Sequence, residues 1–278
     1  MIKNFLLYVL YGLVAGFSEY TPLSASAHQA LFPLILKFNS NLPLLRFFVH
    51  GGALAALVYM YWQRLGHIYR EMKIVSLSPR NRKRPPDMDA VMDARFVLLS
   101  FPAVLVGAVS SFFTARVDIN LFWLAIFLIL GAILIYIPDY IPGGNRKTKT
   151  MSPLDGLLLG LCACCSVIPG FSAVGLMLAI GQFRKCDKSY ILDISILISG
   201  LLLLGRMIVA LLGIVFGGFA GFSIIGLLGC FMAAAASFGG AVGAILMMRF
   251  LTVKSGFSGF AFYGWGLGLF SFILYLMV

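Results

Sequence analysis

Along the chain, long apolar runs alternate with short polar stretches. Runs of the length a helix needs to cross a bilayer recur at about 43–62, 96–113, 119–138, 190–216, 222–248 and 257–277. The pattern predicts an all-α polytopic membrane protein with about six transmembrane helices. Two further apolar stretches, 4–38 and 154–183, are interrupted by proline, serine and glycine. Each is expected to enter the membrane and turn back as a re-entrant hairpin, followed by three spans. The run near residues 5–17 leads into polar residues without a convincing cleavage site, and reads as retained structure.

The two interrupted stretches repeat one another. GLVAG at 12–16 matches GLLLG at 156–160, and Pro22 with Ser24-Ala25 matches Pro169 with Ser172-Ala173. With the first opening outside and the second inside, they define an inverted-topology repeat: residues 1–138, a basic linker at 139–153, and residues 154–278. Such repeats put a site near the bilayer midplane, where broken helices meet. Irregular backbone at that depth is tolerated only when buried in protein or lining a wet cavity. A Pro-x-Ser or Pro-Gly-x-Ser break also starts a half-helix with free N–H groups and a serine cap, which favours anions and phosphate above all. One such break could be an ordinary kink; two in symmetric places favour a site.

Composition narrows the class. At 61% hydrophobic and 11% charged residues, a soluble domain would expose far too much apolar surface. The net charge of +11 invites a nucleic-acid reading, but most of the 21 Lys and Arg residues cluster in loops 64–95, 139–151, 184–188 and 249–254. Threading the spans puts these loops on one face, which the positive-inside rule makes cytoplasmic. Lys3, Lys37, Arg46 and Arg116 fall outside them, and Arg206 lies within a span. No nucleic-acid partner is expected; PRNRKRPPD (79–87) is expected to lie against anionic lipid. Cys162, Cys164, Cys165, Cys186 and Cys230 have no histidine spaced for zinc and read as small, reduced core residues. The glycine-rich runs 216–223 and 237–244 read as small-residue helix contacts or short turns.

Five polar residues then stand out. Glu19 lies on the tip of the first hairpin, where an ionised group is costly and usually functional; a helix-capping role is its alternative. His28 falls in the returning half-helix, as a site residue or a hydrogen-bonded packing residue. His50 precedes Gly51-Gly52 and reads as part of a close helix contact. Arg206, about 24 Å along the span that begins near Tyr190, is placed to bind phosphate or pair with Glu19, the alternative being snorkelling toward the outer headgroups. Asp193, near the inner end of the same span, reads as interfacial.

At these residues the sequence resembles the bacterial undecaprenyl-diphosphate phosphatases of the bacitracin-resistance type. The likeness rests on GLVAGFSEYTPLSASAH (12–28), HGGALAALVYMYWQRL (50–65), FPAVLVG (101–107), DGLLLGL (155–161), PGFS (169–172) and FAFYGWGLG (260–268), in family order and spacing. The resemblance implies six spans with re-entrant hairpins in a bacterial plasma membrane. It implies removal of a phosphate from undecaprenyl diphosphate on the periplasmic side, aided by a divalent cation (Mg or Ca), so that the lipid carrier returns to peptidoglycan synthesis. Carried over, Glu19, Ser24 and His28 are catalytic, Glu19 also holds the metal, and Ser26, Gly170 and Ser172, joined by Arg206, bind substrate.

The family pattern is nevertheless incomplete. Ala15 stands where a first acidic residue is expected, Ala25 where a second serine is, and Ala173 where an arginine would hold phosphate; Met177 ends the second motif. Phosphoryl transfer depends on positioning and on charge stabilisation by Arg, Lys or metal. One glutamate is a poor cradle for a hard divalent cation. These losses together are expected to leave a weak phosphatase or none. Two readings follow: a phosphatase with degraded motifs, or a non-catalytic transporter or sensor of polyprenyl phosphate. A small-anion transporter is a third, tied only to the repeat. The expected partners are a polyprenyl phosphate or diphosphate lipid and membrane lipids, with a homodimer left open.

Overall fold

The computed structural model describes residues 2–38, 43–114, 120–217, 224–254 and 256–277. Among these the chain is helical, with no strand beyond one isolated bridge between Arg146 and Cys186. A first hairpin comprises α1 (Ile2–Glu19) and α2 (Ala25–Leu36); α3 (Pro43–Met60), α4 (Trp62–Ser76), α5 (Met88–Thr114) and α6 (Leu121–Tyr136) follow. A second hairpin, α7 (Pro153–Cys165) and α8 (Ala173–Phe183), leads to α9 (Lys188–Gly217), α10 (Ile224–Lys254) and α11 (Ser258–Met277). Six helices, α3, α5, α6, α9, α10 and α11, have the length and apolarity of membrane spans. The all-α polytopic architecture is therefore as the pattern predicts.

Two boundaries differ from the pattern. The run at 43–62 ends at Tyr61, and the chain continues as α4, a polar helix carrying Arg64, Arg70 and Lys73. α5 begins at Met88, because Asp89, Asp93 and Arg95 extend it beyond the apolar run; Asp93 finds Arg64 at 2.7 Å. Arg116 and residues 218–223 of the glycine-rich run lie outside the described residues.

The repeated glycines explain how the hairpins are held. A Cβ added at Gly12 would lie 2.1 Å from the Ala233 carbonyl oxygen, and one at Gly16 2.1 Å from that of Ser237, so α1 and α10 touch backbone to backbone. In the second motif a Cβ at Gly160 would lie 2.7 Å from Ser100 Cα, and one at Gly156 3.1 Å from Leu99 Cβ, so α7 also packs closely on α5, a little less tightly than α1 on α10. Within lipid, where apolar surface gains little by leaving the solvent, such close packing is what joins helices. Each hairpin thus packs on the middle span of the opposite half, while α3 meets α9 and α6 meets α11. The scheme maps onto itself when the two halves are exchanged. In the run 237–244, Gly240 approaches the Leu13 carbonyl, whereas Gly239 and Gly243 face open space.

The main core lies between the hairpins and the central spans, around Tyr20, Ala53, Phe96, Leu159, Met177 and Ile196. All five cysteines are free thiols, and Cys186 and Cys230 are buried as expected. Cys165 corrects the core reading: it ends α7 on the exposed side of the helix.

Candidate anion site

Both hairpins break and restart with a serine. Ser24 caps α2, its Oγ accepting from Ala27 N at 3.2 Å; Ser172 caps α8, its Oγ accepting from Gly175 N at 3.1 Å. Between them Gly170 adopts φ +115°, a backbone that L side chains avoid, and a Cβ there would lie 2.8 Å from Leu128 N.

The caps also tie the two tips together. Gly170 N donates to Ser24 Oγ at 3.0 Å, Ser172 Oγ donates to the Thr21 carbonyl at 2.8 Å, and Ser26 Oγ donates to the Ser166 carbonyl at 3.4 Å. Ser24 Oγ stands 3.1 Å from Ser26 Oγ. With Ser26 donating onward to Ser166, Ser24 supplies the proton between them. Its oxygen then accepts from two backbone N–H groups and donates once, which uses its full hydrogen-bonding capacity.

Glu19, the last residue of α1, is buried beside this junction. Arg206 reaches it from α9, with Nη1 3.4 Å from Oε2, and Arg206 Nη2 donates to Ser166 Oγ at 3.3 Å. Gln29 Nε2 donates to Glu19 Oε1 at 3.5 Å. Of the alternatives for Arg206, pairing with Glu19 is the geometry observed; its side chain is only 11% exposed, and the guanidinium points inward. The structure therefore gathers Glu19, Arg206, Ser24, Ser26, Gly170 and Ser172 into one junction.

His28 joins that junction differently. Its Nδ1 lies 2.7 Å from the Ser24 carbonyl, which can only accept, so Nδ1 carries the proton and Nε2 accepts from Tyr263 Oη at 2.7 Å. The two rings stack at 5.7 Å and 12°. The imidazole is bonded to the backbone of Ser24, with both ring nitrogens engaged away from the hydroxyl.

Three neighbours escaped the sequence reading, and a fourth, His50, was read in another role. Ser166 ends the run CACCS with nothing but a capping role to announce it. Gln29 was overshadowed by His28, and Tyr263 lies in an aromatic, glycine-rich helix. His50 read as a helix-packing residue, and Gly52 does pack within 2.2 Å, measured from its built Cβ, of the Ala234 carbonyl. The ring itself is buried, with Nδ1 3.6 Å from Glu19 Oε1 and no hydrogen-bond partner. A histidine opening an apolar run one hairpin away from a buried glutamate was the signal available.

The donors do not suit a divalent cation. Among the described residues Glu19 is the one carboxylate at the junction; Oε2 faces a guanidinium and Oε1 an amide donor. Among the described residues, no three His, Cys, Asp or Glu side chains group as metal ligands. A hard cation takes six or more oxygens, typically from several carboxylates or with many waters. A guanidinium already stands where the charge of such an ion would be needed.

The family model for the bacitracin resistance protein BacA matches residues 8–270. The chain belongs to the BacA family. Among similar proteins is the undecaprenyl-diphosphatase of Psychrobacter sp. (strain PRwf-1), 28% identical over 208 residues, covering 70% of this chain and 71% of the relative. The undecaprenyl-diphosphatase of Methanococcus maripaludis (strain C6) is 26% identical over 230 residues, covering 81% and 88%. Undecaprenyl-diphosphatase 1 of Shouchella clausii (strain KSM-K16) is 29% identical over 212 residues, covering 73% of each. With six apolar helices, this BacA-family chain is a multi-pass membrane protein.

Two positions at which the resemblance leads one to expect other residues are packed in the core. Ala15, one turn before Glu19, is buried in an apolar cluster with Tyr11, Leu45 and Val49, and Met177 is fully buried in the main core.

Proposed function

We propose that the protein binds the phosphate or diphosphate headgroup of a polyprenyl lipid carrier in the bacterial plasma membrane, and handles that carrier without efficient hydrolysis. Arg206 carries this reading: a buried guanidinium within a span, held at a junction of two broken helices by Glu19 and Ser166. Ser26 lines the same junction, and Ser172 and Gly170, bonded to Thr21 and Ser24, would have to exchange those bonds to meet the headgroup. The chain is taken as an inverted repeat, 1–138 and 154–278, with its basic loops cytoplasmic and Arg206 in the outer half of the membrane. A midplane anion site of this design suits a transporter or sensor of the carrier. Family membership supplies the substrate class, since the named relatives are undecaprenyl-diphosphatases.

Hydrolysis through Glu19, Ser24 and His28 is the second reading, and the family favours it. Against it, the Ser24 oxygen has its lone pairs filled by Ala27 and Gly170 N–H, and His28 is bonded to the Ser24 carbonyl. Serine nucleophiles need a base within hydrogen-bond reach of the hydroxyl.

The deciding experiment measures phosphate release from undecaprenyl diphosphate by the purified protein with Mg²⁺ or Ca²⁺, beside one of the relatives, together with binding of undecaprenyl phosphate. Lipid binding is expected, with turnover lower than the relative's by about 10²–10³ or more, the range for losing even one transition-state donor. Arg206→Ala should weaken binding at least about tenfold, the ratio that 1.4 kcal/mol represents. Turnover at the relative's rate would restore the phosphatase reading; absence of lipid binding would sink both.

A further inference from the structure

Resting on the headgroup reading, we infer that Arg206 is the resident cation of this site: the headgroup binds without a divalent metal, by taking Arg206 from Glu19, and Glu19 takes up one proton in the exchange. Three observations carry it. The donor set does not suit a metal, as shown above. The buried pair of Arg206 and Glu19 is neutral as a unit, with the guanidinium also holding Ser166. Finally, His50 Nδ1 is buried, without a hydrogen-bond partner, and 3.6 Å from Glu19 Oε1, so a polar atom stands beside the carboxylate with capacity to spare.

Charge balance supplies the coupling. An anion brought to mid-depth adds a negative charge to a neutral pair, and an uncompensated charge there is costly. If Arg206 turns to a monoanionic headgroup and Glu19 gains a proton from bulk water, the unit is neutral again: one guanidinium, one phosphate charge, one carboxylic acid. The groups facing Glu19 permit this. From α9 comes Arg206; from α3 come His50 and, acting on His50, Arg46; from α2 comes the neutral Gln29. α7 contributes the Ser166 hydroxyl through Arg206, and α10 contributes Ser237, whose hydroxyl donates to the Val49 carbonyl. No second carboxylate among the described residues is paired with Arg206. With the ring proton of His50 on Nε2, its Nδ1 can then receive the new Glu19 O–H.

The test is binding of undecaprenyl phosphate to the wild-type protein in detergent, with EDTA and with Mg²⁺ or Ca²⁺, between pH 5.5 and 8. Affinity is expected to be the same within about twofold in EDTA and in metal, and to fall as pH rises. The slope should exceed by about one proton the slope in Glu19→Gln, which keeps only the titration of the phosphate itself; one proton is tenfold per pH unit. Glu19→Gln should bind more tightly than wild type at pH 8, because it leaves Arg206 uncommitted. A metal ligand would behave in the opposite way, the Gln variant binding more weakly. Binding that requires metal, or parallel pH slopes in the two proteins, would overturn the inference while leaving the headgroup reading intact. Absence of binding under every condition would instead remove the headgroup reading. Should Glu19→Gln fail to fold, the EDTA comparison on the wild type still decides the metal question, and Arg206→Lys, which retains a cation, should keep metal-free binding better than Arg206→Ala.

Discussion

At the scale of single residues, the junction is a chain of bonds running from Glu19 to the surface: Arg206, Ser166, Ser26, Ser24, His28 and finally Tyr263. The last link is the easiest to test. Tyr263→Phe keeps the stacked ring and removes only the hydroxyl that His28 Nε2 accepts from, so each of Tyr263→Phe and His28→Ala should destabilise. In the double variant the effects should fall short of their sum by about 1 kcal/mol, the usual worth of one hydrogen bond. Thermal unfolding of the four proteins in one detergent provides the cycle, and strictly additive losses would show that the bond contributes nothing. The sequence announced this junction unevenly. Glu19 and Arg206 stood out because ionisable side chains inside apolar runs are rare. Ser24 and Ser172 stood out because serine after proline caps a new helix. Ser166, Gln29 and Tyr263 did not, since serine, glutamine and tyrosine are tolerated at many membrane positions and their partners lie far away in sequence, 235 residues in the case of His28 and Tyr263.

At the scale of helices, the pattern located the six spans and both hairpins, because length and apolarity are properties of one segment at a time. It could not say which segments touch. GLVAG and GLLLG were visible as a repeat, yet that their glycines lie against Ser237 and Ser100 depends on the opposite half of the chain. The same limit hid the break at Tyr61, where the chain leaves α3 for the polar α4. A direct check compares two glycines. Gly16→Val would drive a side chain into the Ser237 carbonyl, and α1 must move off α10; about 3 kcal/mol is expected, at the upper end of the usual cost of overpacking. Gly266→Ala meets nothing within 4 Å and should change stability by less than about 0.5 kcal/mol, as exposed substitutions do. The fraction remaining monodisperse after heating separates them. Equal behaviour would mean that the close approach of α1 and α10 is not what holds the first hairpin.

At the scale of the molecule, the basic face is closed by charges drawn from both halves. Arg64 of α4 bonds Asp93 of α5 at 2.7 Å and Asp193 of α9 at 2.6 Å. Tyr61 donates to Asp193 at 2.6 Å, Tyr190 to Asp93 at 2.8 Å, and Arg249 of α10 lies 3.7 Å from Asp193 and over the Tyr61 ring. Asp193, read from sequence as interfacial, is thus a tie between halves. It stands about 20 Å along α9 from Arg206, at ~1.5 Å per residue, so the network lies well away from the junction of the two hairpins. Removing Arg64 leaves Asp93 without its cation and Asp193 with Arg249 alone, at 3.7 Å. Breaking a fully buried pair costs about 3–5 kcal/mol, and partial exposure of Arg64 and Asp193 brings the expected loss for Arg64→Met to about 2 kcal/mol. Taking away the stranded charge as well, in Arg64→Met with Asp93→Asn, should recover roughly half of that, because an unpaired charge is worse than none. If the network also holds this end shut, a membrane-impermeant thiol reagent applied from the basic face should label a cysteine placed at Ser195 faster in Arg64→Met than in the Arg64 background. Unchanged stability in Arg64→Met would deny the tie; lost stability with unchanged labelling would make it a brace between the halves, with no part in access to the site.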